Sequence, residues 1–258
     1  MEAVYRHCGY DLRDYIFSTQ YRRIWNRVKA EGLTSITGLL EKVLHDASCL
    51  KRLLGDFSIQ VTEMFRNPSF FHALREKVIP NLRELPFLRI WHAGCSSGEE
   101  VYSLAILLQE EGLYEKSFLY ATDISEAALK KAQAGVFPLG KMRDYTMNYQ
   151  RAGGQRAFSE YYKVCGNQVT FEASLQKNMV FAQHNLVTDG SFNEFHMIFC
   201  RNVLIYFNDK LQNRVHQLLY NSLAPGGYLV LGQKEGIKFR AHAEDYAEVD
   251  ALQKIYCK

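Results

Sequence analysis

Hydrophobic residues in the first 58 positions recur at mixed three- and four-residue spacings, which is the pattern of amphipathic helices. The clearest of these helices is marked by Ile36, Leu39, Leu40, Val43 and Leu44. The segment contains no proline, and polar connectors such as Glu31-Gly32 separate its apolar stretches. The sequence therefore predicts a small all-helical domain over residues 1–58.

From residue 59 onward, short apolar runs alternate with helical periodicity, which is typical of strands and helices in turn. Asn67 and Pro68 predict a helix start, with Asn67 as the cap and Pro68 in the first turn. Later helices are predicted after Gly98, from the cap Ser125 to the C-terminal Gly135, and over Asp209–Ser222. Strands are predicted over Leu88–Ala93, 118–122, Met179–Gln183, Phe195–Cys200 and 228–231, with a turn at Pro225-Gly226-Gly227 and a last strand ending at Lys254-Ile255-Tyr256.

Residues 136–177 interrupt this alternation. They contain seven aromatic residues, the pair Gly153-Gly154 and a turn signal at Asn167, together with six basic and three acidic side chains. We expect an inserted subdomain with β-structure of its own. The chain is thus predicted to hold a helical domain, residues 1–58, and an α/β domain, residues 59–258, that carries the insertion.

The composition of the 258 residues, 47% hydrophobic and 23% charged, is that of a globular protein with a sizeable core. Its 31 basic and 28 acidic side chains give a net charge of +3, too balanced for a general nucleic-acid or membrane-surface binder. The nearest two of the six cysteines, Cys165 and Cys200, are 35 positions apart, so no paired-cysteine metal or redox motif is predicted. No apolar run is long enough to span a bilayer, and a cytoplasmic protein is expected.

One stretch of the helical domain is strongly basic. Arg22, Arg23, Arg27 and Lys29 have no acidic residue among them. Partners one helical turn away within the stretch cannot neutralise all four charges. Two interpretations stay open, namely a solvated helix face and a docking surface for an acidic helical partner.

A loop from Gly94 to Gly98 joins the first predicted strand of the α/β domain to a helix. Such a loop lets a ligand approach the backbone and the free N–H groups of the helix start, although Gly94 also suits an ordinary tight turn. The next two residues, Glu99-Glu100, argue against a pyrophosphate ligand, because their repulsion of phosphate exceeds what the helix dipole offsets. A ligand with hydroxyl groups or a positive charge fits them better.

Asp123 ends the second predicted strand, where nucleotide-binding sheets bind ribose hydroxyls. The alternative is that Asp123 caps the next helix, although Ser125 lies nearer to that helix start. The glycine loop, the two glutamates and Asp123 together favour an adenosyl nucleoside without a pyrophosphate. S-adenosylmethionine (SAM), whose sulfonium is cationic, meets that description. The loop lacks the dinucleotide fingerprint, which argues against a dehydrogenase.

Five segments, in the expected order, resemble motifs of the CheR family of chemoreceptor glutamate O-methyltransferases. They are V-T-E-M-F-R-N-P at 61–68, A-G-C-S-S-G-E-E-V-Y-S at 93–103, A-T-D-I at 121–124, F-C-R-N-V-L-I-Y-F at 199–207 and L-A-P-G-G at 223–227. The resemblance covers essentially the whole chain. It implies an α/β fold with the Rossmann-like sheet of class I SAM-methyltransferases, an N-terminal all-helical domain and a small inserted β-subdomain.

The resemblance also implies particular site residues and no metal. Cofactor contacts are implied for Gln60, Thr62, Arg66, Gly94, Glu99, Asp123, Asn185, Leu186, Arg201 and Asn202. Gln60 stands where the family often has asparagine. Arg66 and Tyr206 match positions near the methionyl end of the cofactor and the acceptor, and they are the predicted catalytic residues. The alternatives are a surface ion pair for Arg66 and a core tyrosine for Tyr206.

The implied function is transfer of the SAM methyl group to glutamate carboxylates of chemoreceptors, giving methyl esters and S-adenosylhomocysteine (SAH) in sensory adaptation. The implied partner is the helical bundle of the receptor, docked on the basic helix; in some family members the inserted subdomain binds a receptor tail peptide. Two alternatives stay open, a SAM-binding regulatory module and a methyltransferase for a non-receptor substrate. A regulatory module is expected to lack Arg66 or Tyr206, and this chain has both.

Overall fold

The computed structural model describes residues 1–57 and 62–258. The predicted domain boundary at residues 58 and 59, and Gln60, lie outside the described residues. The described part of the N-terminal region is helical, as predicted. Its helices are α1 (Glu2–Cys8), α2 (Phe17–Ala30), α3 (Ile36–His45) and α4 (Ala47–Phe57).

The helix ends in this region follow local sequence signals. Ser35 caps α3 because its hydroxyl accepts a hydrogen bond from the Gly38 N–H at 3.1 Å. At the other end of the region, α1 stops at Gly9, whose φ of 78° is left-handed. The apolar faces of α2, α3 and α4 meet at Val28, Leu39 and Cys49, each at most 2% exposed.

The rest of the chain alternates strands and helices around a seven-stranded sheet. Its helices are α5 (Pro68–Lys77), α6 (Ile79–Leu82), α7 (Glu99–Glu110), α8 (Glu126–Ala134), α9 (Met142–Arg151) and α10 (Asp209–Ser222). Its strands are β1 (Leu88–Ala93), β2 (Ser117–Asp123), β3 (Val136–Pro138), β4 (Tyr162–Cys165), β5 (Gln168–Phe171), β6 (Met179–Gln183), β7 (Phe195–Cys200), β8 (Leu223–Leu231), β9 (Ala247–Asp250) and β10 (Ile255–Cys257).

The large sheet has the order β6-β2-β1-β7-β8-β10-β9. The strands from β6 to β8 are parallel, while β10 is antiparallel to β8 and β9. The chain first winds outward from β1 through β2 to β6 and then returns to β7 on the other side. The carboxyl ends of β1 and β7 therefore border the crevice where α/β sheets bind ligands.

The insertion forms a separate antiparallel sheet of order β3-β5-β4, which confirms its predicted β-structure. It also contains α9, which was not predicted. The hydroxyls of Tyr149 and Tyr161 donate to the buried carboxylate of Glu110 on α7. These contacts attach the insertion to the helix that begins at the glycine loop.

Two strand predictions are wrong in detail. Residues 225–227 lie inside β8, whose register is irregular there, and the Gly226 N–H donates to the Lys258 carbonyl at 2.8 Å. The last strand begins at Ile255 because Lys254 has a left-handed φ of 56°, and β9 before it was not predicted. Among the described residues, no helix is both long and apolar enough to cross a bilayer.

Candidate functional site

A cleft of about 850 Å³ lies between the N-terminal helices and the carboxyl ends of the parallel strands. Basic side chains of α2 and α4 line one side, namely Arg22, Arg23, Arg27, Lys51 and Arg52. The other side includes the carboxylates of Glu100 and Asp123. Lys51 and Glu126 form an ion pair of 3.0 Å that joins α4 to α8. The cleft thus has one side of mainly basic residues, several of which are paired with acids such as Asp56 and Glu31, and one side that bears acids.

The glycine loop borders this cleft through a close backbone approach. Gly94 has a φ of 88°, and a Cβ there would lie 2.6 Å from Cγ2 of Val203. A larger residue would therefore separate the loop from the segment after β7. The Ser96 N–H donates to Asp123 at 2.9 Å, so the loops after β1 and β2 are joined at the cleft.

Asp123 lies at the end of β2 and lines the cleft, as predicted. Its second carboxylate oxygen accepts the Ser125 N–H at 2.9 Å, while the Ser125 hydroxyl caps α8. These two backbone N–H bonds hold the Asp123 carboxylate at the edge of the cleft.

Of the two glutamates after the glycine loop, Glu100 lines the cleft and Glu99 does not. Glu99 is 7% exposed, accepts from the Ser97 hydroxyl at 2.7 Å and contacts the Tyr145 hydroxyl at 3.4 Å. Burial raises the pKa of its carboxyl. Consecutive helical residues point about 100° apart, so the two side chains face different surroundings.

Glu100 is held by two buried neighbours. Its carboxylate accepts from Arg201 at 2.8 Å and contacts the His92 ring nitrogen at 3.2 Å. Burial alone would raise the pKa of Glu100, but the Arg201 charge and the His92 contact leave it below the usual value. Glu100 is thus an anion at the cleft, partly compensated by Arg201.

Arg201 ties three elements together, because besides Glu100 at the start of α7 it reaches the start of α5. Its guanidinium donates to the Asn67 side chain at 3.0 Å and lies 4.0 Å from the Phe70 ring centroid. Asn67 therefore does not cap α5 with its side chain, contrary to prediction, and its backbone is left-handed with φ 60°. Pro68 begins the helix as predicted.

Thr62 and Arg66 line the cleft in the segment before α5. The segment is fixed from within, since the Phe65 N–H donates to the buried Ser103 hydroxyl at 2.8 Å. Ser103 in turn donates to the Glu99 carbonyl at 2.6 Å. Arg66 is thereby presented to the cleft by a backbone anchored on α7.

Tyr206 lines the cleft beside Arg23 and Arg66. Burial raises the pKa of Tyr206, and the charges of both arginines oppose that shift. The N-terminal region also holds its backbone, because the Ile16 N–H donates to the Tyr206 carbonyl at 2.9 Å.

The predicted four-residue basic surface is divided in the structure. Arg23 is 5% exposed and donates to the Asp56 carbonyl at 2.6 Å, and Arg27 binds the Asp56 carboxylate at 2.7 Å. Arg22 and Lys29 are exposed. Arg23 and Arg27 turn inward with their aliphatic stems packed against α4, where Asp56 accepts hydrogen bonds from both guanidinium groups.

Asn185 and Leu186 complete the cleft next to β6. The Asn185 side chain accepts from the Val187 N–H at 3.0 Å, which shapes the turn after β6. His184, which the sequence analysis missed, also lines the cleft, and its ring nitrogen contacts the Gly190 carbonyl at 3.1 Å.

Of the predicted site residues, the described part of the structure brings all but Glu99 to this cleft: Thr62, Arg66, Gly94, Asp123, Asn185, Leu186, Arg201, Asn202 and Tyr206. Their chemistry fits an adenosyl nucleoside with a cationic centre. The close approach at Gly94, the acid that ends β2 and the anionic Glu100 are the observations that support this fit.

Comparison with known families assigns the chain. Residues 60–253 match the family model described as the CheR methyltransferase, SAM binding domain. Residues 1–58 match the one described as the CheR methyltransferase, all-alpha domain. The fold and the site thus define a SAM-binding methyltransferase. The chain belongs to the CheR methyltransferase family.

The similarity to named relatives covers nearly the whole chain. The Pseudomonas putida protein named methyltransferase Cher3 is 43% identical over 258 residues, 100% of this chain and 94% of that protein. The Chemotaxis protein methyltransferase of Listeria innocua is 33% identical over 91% of this chain and 87% of its own length. Chemotaxis protein methyltransferase 1 of Pseudomonas aeruginosa is 29% identical over 89% of this chain and 86% of its own length.

Proposed function

We propose that this methyltransferase acts in the cytoplasm on chemoreceptors, converting glutamate side-chain carboxylates into methyl esters with release of SAH. The observation that carries the proposal is that acidic and basic side chains both line the cleft. Asp123 and Glu100 suit a cationic nucleoside, while Arg23 and Arg66 suit an acidic acceptor. The relatives named chemotaxis protein methyltransferase support the same biological setting.

The chemistry asks little acid–base work of the protein. SAM supplies a methyl group on a sulfonium. A glutamate acceptor with an ordinary pKa of about 4.3 is already ionised at neutral pH, so no general base is required. The protein's task is to align and partly dehydrate the acceptor, and well-oriented systems gain roughly 7–11 kcal/mol from alignment.

Arg66 and Tyr206 are the residues to which we assign that alignment. The planar guanidinium of Arg66 can hold a carboxylate by two parallel N–H bonds. The raised pKa of Tyr206 keeps its hydroxyl protonated at neutral pH, so it remains a hydrogen-bond donor. Thr62, Gly94, Glu100, Asp123, Asn185, Leu186, Arg201 and Asn202 are the proposed cofactor residues.

Methyl transfer to receptor-containing membranes tests the proposal. Purified protein and SAM labelled on its methyl group should place a base-labile label on the receptor band. Glu100→Gln should reduce the label, and Glu99→Gln is the matched neighbour. Labelling of another substrate instead would favour a non-receptor methyltransferase, and SAM binding without transfer to any acceptor would favour a regulatory module.

A further inference from the structure

Glu235, in the segment after β8, is a buried carboxylate surrounded by backbone N–H groups. It is 8% exposed. It accepts hydrogen bonds from Asn202 at 2.8 Å, Val203 at 2.9 Å, Leu204 at 2.8 Å, Ile205 at 3.3 Å and Gly232 at 2.6 Å. Among the described residues, no Lys, Arg or His forms an ion pair with it. Peptide dipoles therefore balance this buried charge in place of a cation.

Four of these donors are consecutive residues at the start of a short 3₁₀ helix, Leu204–Tyr206. The first N–H groups of a helix have no partner within it, and a carboxylate there satisfies them. Asn202 has a left-handed φ of 61°, which is uncommon outside glycine although asparagine tolerates it better than most residues. Glu235 stabilises this turn by accepting the Asn202 N–H.

Gly232 makes this approach possible. A Cβ at Gly232 would lie 2.6 Å from the Glu235 carboxylate and 2.9 Å from the Asn202 nitrogen. Both distances are shorter than van der Waals contact, so a side chain at this position would push the two segments apart.

The segment that Glu235 holds lines the cleft and carries three of the predicted site residues: Arg201, Asn202 and Tyr206. Glu235 itself does not line that cleft. We propose that Glu235 is a positioning residue, which fixes the backbone after β7 so that Asn202 and Tyr206 occupy their places at the reaction site. This inference rests on the proposed function, since that function assigns the roles of Asn202 and Tyr206.

Glu235→Gln is the sharpest variant, because it keeps the size of the side chain and replaces one acceptor oxygen by an amide NH₂. Whichever way the amide turns, its NH₂ faces at least one backbone donor. Glu244→Gln, at an exposed acid on the following segment, is the control. Calorimetry measures the SAH affinity, receptor methylation gives kcat and KM, and thermal unfolding reports the fold.

We expect Glu235→Gln to weaken SAH binding about tenfold or more and to lower kcat, while the Glu244 variant matches wild type. If Glu235 acts through Asn202, the loss in SAH affinity of Glu235→Gln combined with Asn202→Ala should be smaller than the product of the single losses. Unchanged affinity and kcat in folded Glu235→Gln, or losses that multiply independently, would overturn the inference.

If Glu235→Gln does not fold, the variant Gly232→Ala provides a second test of the same contact. It disturbs the same contact from the other side, and we expect the same loss of SAH affinity; wild-type affinity in this variant would overturn the inference. The binding measurement needs no acceptor. Wild-type protein that binds SAH but methylates no receptor would therefore contradict the proposed function. The SAH affinities of the variants would still test the role of Glu235.

Discussion

The guanidinium carbon of Arg23 lies 4.9 Å from the centroid of the Tyr206 ring. The same group lies 5.5 Å from the Phe57 ring, so a buried arginine of α2 is enclosed by aromatic rings beside the predicted catalytic tyrosine. Cation–π contacts of this desolvated kind contribute about 2 kcal/mol. The N-terminal helices therefore help to build the cleft in addition to any role in docking.

Arg23→Gln is expected to lower kcat about tenfold or more with little change in KM for the receptor. The variant removes the charge over Tyr206, and the pKa of that tyrosine should rise further because Arg23 no longer opposes the effect of burial. Steady-state kinetics on receptor membranes measure kcat and KM separately. Lys29→Gln, at an exposed residue of α2 that does not line the cleft, is the control, and identical kcat values in the two variants would refute the distinction.

Glu100→Gln is expected to weaken SAM and SAH binding about tenfold, whereas Glu99→Gln should change it little. Glu100 is the carboxylate at the cleft, and its loss also leaves the charge of Arg201 without its partner. Calorimetric titration of both variants makes the comparison. A larger effect from Glu99 than from Glu100 would show that the helix start is oriented differently during binding.

Arg66→Ala is expected to lower turnover by about a hundredfold while SAH affinity changes only a fewfold. Alignment of an acceptor carboxylate contributes to kcat and not to cofactor affinity. The measurements are single-turnover transfer and calorimetry on the same preparation. If turnover and affinity fall by the same factor, Arg66 is a plain binding residue.

Charge reversal of Arg22 and Lys29 together is expected to raise the KM for the receptor and to flatten its dependence on salt. Both side chains are exposed on α2, and rim charges act mainly through association. Lys210→Glu, an exposed lysine on α10, is the control. Unchanged kinetics in the double variant would favour a solvated helix face.

Lowering the pH from 7 to 5 is expected to cost about 2 kcal/mol of folding free energy through His216 alone. Burial, with a contribution from the Arg240 charge, lowers the pKa of His216 to about 4. Below an ordinary histidine pKa of about 6.5, the unfolded chain gains a proton that the folded protein does not bind. The folded state therefore becomes less stable as the pH is lowered. Urea unfolding of the wild type, of His216→Leu and of the exposed-site control His45→Gln at both pH values measures the contribution of His216. An unchanged pH dependence in His216→Leu would contradict it.

The sequence predicts the parts of this molecule that depend on local signals. Ser125 and Gly135 bound α8 as expected, since a serine cap and a left-handed glycine act within one helical turn. Asp123 could be located because the end of a parallel strand has a fixed place in an α/β sheet. Pro225-Gly226-Gly227 suggested a turn, but pairing with Lys258 more than thirty residues later draws it into the sheet.

The remaining features depend on contacts between distant segments. Composition could not reveal that Asp56 draws Arg23 and Arg27 inward from the basic stretch. The orientation of α7 decides between Glu99 and Glu100, and neighbouring sequence alone does not fix that orientation. Glu235 lies thirty or more residues from the backbone that it holds after β7, so no local pattern marks it.

The central claim, methyl esterification of receptor glutamates, is tested most directly by mass spectrometry of receptor peptides after incubation with the protein and methyl-labelled SAM. The proposed function predicts labelled methyl esters on glutamate residues of the cytoplasmic helical bundle. They should be removed by mild base, and the Arg66→Ala variant should form them about a hundredfold more slowly than the wild type. An unlabelled receptor, or label on a residue other than glutamate, in a preparation that converts SAM to SAH would contradict it.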